Sequence, residues 1–259
     1  MKKVLISEVM KTLDAFAPRE LALDYDNVGL MCGSVNRQTS GVLVCLDITS
    51  ETLKEAVSKK VNLVVSHHPL IFNAQRCIDL DSQTGALIEF AIKNDITVLS
   101  YHTNLDFASG GVNYRLAQRL GGQKIELVCS GACFNIEKSM TLKEYAKFCA
   151  HALSDPSVKI SGQPGKLISR VFSVSGAGGR DEDAYAFARE NSDVFVSSEV
   201  KHNLLVSAQS GGFALIEISH YNSEIISLDI LFDIIKSTFC DLDIYKSQQT
   251  RPFRTAEEL

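Results

Sequence analysis

A chain of 259 residues, 45% hydrophobic and 22% charged, is long enough for one large or two small globular domains. Its formal net charge of −5, with no basic run in either half, gives a nucleic-acid role no electrostatic support. No signal peptide or membrane span is expected, because the apolar patch after Lys2-Lys3 is short and broken by Glu8. Seven cysteines without C-x-x-C spacing read as reduced thiols of a cytoplasmic protein.

In chain order, Ile6, Val9, Met10, Leu13 and Phe16 stand at helical spacing, with Pro18 beyond. Residues 24–30 form a polar turn that enters an apolar stretch, and Asp26-Asn27 reads as part of that turn. Strands are predicted over 41–47, 61–66 and 96–101, with helices over 50–59, 82–94 and about 111–120, the last closed by Gly121-Gly122. Thr141-Leu142-Lys143-Glu144 is a capping box that opens a helix to about Leu153. A strand over 166–174 runs into the turn 175–180, which stands before a helix as a tight turn or an anion cradle. Strands over 193–197 and 213–219, helices near 201–210 and over 222–237, and a last strand near 243–247 complete the pattern. This alternation predicts an α/β fold of two lobes with largely parallel sheets, residues 1–122 and 123–259.

Chemistry concentrates in the histidines. His67-His68-Pro69 follows an apolar strand, and His102 and His220 follow two more. Open α/β sheets bind ligands at the carboxyl ends of their strands. Asp106 lies four residues after His102, and Glu224 four after His220, a spacing that shares a face if a helix begins there. His67, His68, Asp106, His220 and Glu224 make a mixed imidazole and carboxylate set of the kind found in transition-metal hydrolases. Five ligands exceed the needs of one tetrahedral ion and suit two divalent ions. Adjacent strand residues point to opposite faces, so the strand is expected to end at Ser66 and aim each imidazole at a different ion. His102 is open to roles as ligand, orienting residue or proton shuttle, and Glu199 follows a strand end. His151 and His202 read as solvated or helix-dipole-pairing side chains.

The motifs Asp26-Asn27-Val28-Gly29-Leu30, residues 66–72, His102-Thr103-Asn104-Leu105-Asp106 and His220-Tyr221-Asn222-Ser223-Glu224 together resemble the YbgI-like, or NIF-three-like, family. Its members carry the name GTP cyclohydrolase type 2 homologue. The Gly176–Gly179 turn, Glu199-Val200-Lys201-His202 and Arg251-Pro252-Phe253 support the resemblance, which spans nearly the whole chain. Tyr25 stands where the family usually has Trp, Ser198 and Ser219 where it usually has Gly, and Asn203 where a second histidine is frequent.

The resemblance implies two similar α/β lobes, a dinuclear metal site in the cleft between them, and a ring-shaped homohexamer. It places the metal ligands at His67, His68, Asp106, His220 and Glu224. Two functional classes follow. One is a metal-dependent hydrolase acting on a small molecule, with two ions (Zn, Fe, Mn, Ni or Mg) activating water and His102 or Glu199 transferring protons. The other is a non-enzymatic, oligomeric metal-binding adaptor or metal-handling protein.

Overall fold

The structure is a computed structural model that describes residues 4–258. These residues form two compact units. The first runs to Ala108 and takes the chain back for Ser227–Thr250; the second holds Ser109–Ile226 and the described residues from Arg251 onward.

In the first unit, α1 (Ile6–Phe16) precedes β1 (Gly29–Cys32), β2 (Val42–Cys45), α2 (Ser50–Ser58), β3 (Leu63–Ser66), α3 (Gln83–Lys93), β4 (Thr97–Ser100) and α4 (Thr103–Phe107). Its sheet has the order β1-β4-β3-β2-β11, where β11 (Ile244–Lys246) arrives from the far end of the chain. β4, β3, β2 and β11 are parallel, and β1 runs antiparallel at the edge. Every residue of β2, β3 and β4 is buried, as expected of parallel strands covered on both faces. Leu43, Val64 and Val98 pack against Leu53 of α2 and Ile88 of α3. Thr49 and Ser82 start these helices by accepting hydrogen bonds from Thr52 N and Gly85 N.

The second unit holds α5 (Val112–Arg119), β5 (Gly122–Val128), β6 (Gly131–Thr141), α6 (Leu142–Leu153), β7 (Lys159–Ser161), β8 (Leu167–Ser173), α7 (Glu182–Asn191), β9 (Val194–Ser197), α8 (His202–Gly211), β10 (Ala214–Glu217) and α9 (His220–Glu224). Its sheet runs β5-β6-β8-β9-β10-β7. Only β8, β9 and β10 are mutually parallel; β5, β6 and β7 pair antiparallel, so this sheet is less parallel than the sequence predicts. Alternation along the strands feeds two cores. Val194 and Ile216 pack with Tyr145 and Cys149 of α6, while Phe195 and Leu215 pack with Ala188 of α7 and Leu204 of α8.

Two sequence expectations change. The division falls before α5 rather than at Gly121-Gly122, because the buried face of α5 (Leu116, Ala117) joins the core of the second sheet. The helix expected over 222–237 is two helices, α9 and α10 (Ser227–Thr238), with a turn at Ile225-Ile226 where the chain passes from one unit to the other. Among the described residues, no helix is long and apolar enough to cross a membrane. All seven cysteines are free thiols.

Candidate metal centre

The first unit brings three histidines together at the carboxyl ends of two neighbouring parallel strands. β3 ends at Ser66, as the double-histidine argument requires. His67 and His68 then turn out of the strand with their N–H groups still bonded to Cys45 O and Leu46 O. The parallel register pairs Cys45 with Ser66 and Ser66 with Ser100. Two residues beyond each pairing stand Asp47, His68 and His102, at one level across three strands. His67, His68 and His102 each offer a ring nitrogen, and these atoms all lie within 4.8 Å of one another. Asp106, one turn into α4, sets a carboxylate oxygen 3.7 Å from His67 Nε2.

The second unit presents a smaller cluster. β10 ends at Glu217, Ser219 caps α9 by accepting from Asn222 N, and His220 is the first helical residue. The i, i+4 spacing places His220 Nε2 2.8 Å from Glu224 Oε2. The Glu224 side chain is 3% exposed. Four hydrogen bonds fix this corner: Ser219 N donates to Asp155, Asn222 donates to the carbonyls of Leu153 and Ser154, and Gly176 N donates to Ser223 Oγ. Gly176 has φ +59°, and a Cβ there would overlap the Glu224 carboxylate. Only glycine fits this approach without strain.

The four histidines share one arrangement. His67 Nδ1 lies 2.8 Å from Tyr101 O, His68 Nδ1 2.7 Å from Asp47, His102 Nδ1 2.9 Å from Asp26, and His220 Nδ1 2.7 Å from Glu199. Each partner is an acceptor, so each Nδ1 carries a hydrogen and that bond sets the angle of the ring; His220 Nε2 then faces Glu224 at 2.8 Å and His67 Nε2 faces Asp106 at 3.7 Å. Metal-binding histidines are commonly oriented in this way. The donor chemistry fits divalent transition ions.

Asp26 is the residue the sequence undervalued. Read there as a turn residue, it accepts from His102 Nδ1, Thr103 N and Thr103 Oγ1. Burial pushes its carboxyl up, but His102 and Thr103 outweigh that and bring it from 3.8 to about 2. It therefore stays anionic beside His102. Asp47 plays the same part for His68. Glu199, expected to transfer protons, accepts from His220 Nδ1 and pairs with Arg180, each at 2.7 Å. Its φ of +55° is uncommon for a non-glycine residue. Ser198, buried just before it, donates to Gly176 O. The 175–180 segment thus lies against His220 and Glu224 as a structural turn. His151 and His202 are exposed.

The sequence and fold have counterparts among known proteins. The profile of the DUF34/NIF3 family (NGG1p interacting factor 3) matches residues 4–252. The chain is 30% identical over 258 residues to a protein of Lactococcus lactis named GTP cyclohydrolase 1 type 2 homolog, covering 96% of this chain and 98% of that one. A Clostridium perfringens protein of the same name is 28% identical over 229 residues, covering 85% and 86%. A crystal structure of a Staphylococcus aureus hypothetical protein superposes with a TM-score of 0.90 at 27% identity, over 98% of this chain and 100% of that one. A Bacillus cereus protein related to NIF3 shares the fold with a TM-score of 0.91 at 20% identity. The chain belongs to the DUF34/NIF3 family.

Proposed function

We propose that the chain binds two divalent metal ions through His67, His68, Asp106, His220 and Glu224, and that it is a metal-dependent hydrolase. The observation that carries this reading is the shared orientation of the histidines: four Nδ1 groups are tied to acceptors, which assigns Nε2 of His67, His68 and His220 to ligation and Nε2 of His102 to proton transfer. In this reading the first unit supplies His67, His68 and Asp106 as ligands, and the second supplies His220 and Glu224. Bound ions would supply Lewis acidity and the capacity to activate water near neutral pH.

The remaining work falls to the chain's own groups. Asp26 holds His102 in the Nδ1–H tautomer, so Nε2 is the atom that accepts or returns a proton. Asp47 and Glu199 hold His68 and His220 in the same way. The relatives' name, GTP cyclohydrolase 1 type 2 homolog, supports a hydrolytic step on a nucleotide ring. The same reading includes a homohexamer, carried by the resemblance of the motifs and tested by light scattering. Elemental analysis of metal-supplemented protein, run beside a nucleotide substrate panel, tests the whole. About two ions per chain with turnover is the expected result. No transition metal would overturn the reading, and two ions without turnover would move it to a metal-handling protein.

A further inference from the structure

Two large aromatic side chains stand exposed at the rim of the histidine cluster. Tyr25 is 67% exposed and Phe72 is 43% exposed. Their ring centroids are 6.2 Å apart with the planes at 66°, and Phe72 lies 6.0 Å from the His102 ring at 83°. Phe72 is thus the middle member of a row that leads from solvent to the imidazoles.

The backbone on both sides is pinned. Asp26, next to Tyr25, is tied to His102 and Thr103. Asn27 donates to the carbonyl of Ile71, next to Phe72, at 2.6 Å. The turn that carries Tyr25 is therefore stapled to the loop that carries Phe72, and the residue that aims His102 also places the first ring. Exposed apolar rings that are held rather than buried mark a binding surface. Their position fits a flat ligand: an edge-to-face pair offers one ring face for stacking and one ring edge for contact.

We propose that Tyr25 and Phe72 form a stacking wall for a planar heteroaromatic part of the substrate, of nucleobase size, and so set substrate class. The inference rests on the metal reading only in locating the reacting atom beside His102. Base stacking on an aromatic side chain is tolerant of base identity, so the wall selects flat rings over sugars and phosphates. Selection among bases falls to other groups.

The chain has no tryptophan, so Tyr25→Trp introduces a single indole at the wall. Its emission, excited beyond the tyrosine band, is titrated with adenosine, guanosine and ribose 5-phosphate, with metal content measured on the same sample. Saturable quenching by both nucleosides and none by ribose 5-phosphate is expected. Adding Phe72→Leu should raise the half-saturating concentration roughly tenfold. Linear quenching unaffected by Phe72→Leu would overturn the proposal. So would an emission shift that depends on protein concentration alone, which would assign the wall to a second copy of the chain. Saturable quenching without metal would keep the wall and remove the metal reading; two ions with linear quenching would do the reverse.

Discussion

Replacing Asp26 by asparagine keeps the shape of the side chain and removes its charge. The carboxylate accepts four hydrogen bonds, from Asn27 N and His102 Nδ1 on Oδ1 and from Thr103 N and Thr103 Oγ1 on Oδ2. An amide in its place turns an NH2 group toward the Thr103 N–H, donor against donor. The pKa displacement from 3.8 to about 2 corresponds to roughly 2 kcal/mol of folding stability. The sign follows from the direction. A carboxyl depressed in the folded state contributes fully above 3.8 and loses that contribution as pH falls through about 2. Urea unfolding of chelator-treated protein should therefore show Asp26→Asn weaker by about 2 kcal/mol near pH 7. The gap to wild type should shrink as pH drops below about 4, because the wild-type advantage titrates away. A gap that stays constant with pH, or no gap at neutral pH, would mean that the Asp26 charge does not stabilise the fold.

Three further outcomes follow from the site. Glu224→Gln should weaken binding of at least one ion and lower the Tm of metal-loaded protein while leaving chelator-treated protein nearly unchanged; calorimetry of both forms decides, and equal loss in both would make Glu224 a structural carboxylate. Gly176→Ala combines a left-handed φ of +59° with a Cβ driven into the Glu224 carboxylate, so it should cost roughly 1–3 kcal/mol and reduce metal content, as urea unfolding and elemental analysis would show. His67→Ala and His68→Ala should each lose mainly one of the two ions; complete loss in both, with unchanged circular dichroism, would argue for a single shared ion.

Much of this architecture was legible. The strands that carry His67, His102 and His220 announce themselves as apolar runs, and the i, i+4 spacing of His220 and Glu224 is realised because α9 begins at His220. What escaped was non-local. Asp26 meets His102 across 76 positions, and nothing in the local pattern separates it from an ordinary turn aspartate. Asp47 becomes the partner of His68 only through the register of β2 on β3. The β5–β6 hairpin was missed because β5 has no fully buried residue and so no clean alternation. The break between α9 and α10 carries no glycine or proline; it falls where the chain passes between its two units. The stacking wall joins residues 25 and 72, each unremarkable in its own segment.

The central claim is that divalent ions are held by the Nε2 atoms of these histidines. An anomalous-diffraction map collected at the edge of the bound metal tests it most directly. Two peaks per chain are expected, with the Nε2 atoms of His67, His68 and His220 about 2.0–2.1 Å from them if the metal is zinc, while each Nδ1 keeps its acceptor. A map with no peak near these rings, or with metal on the Nδ1 side, would contradict it.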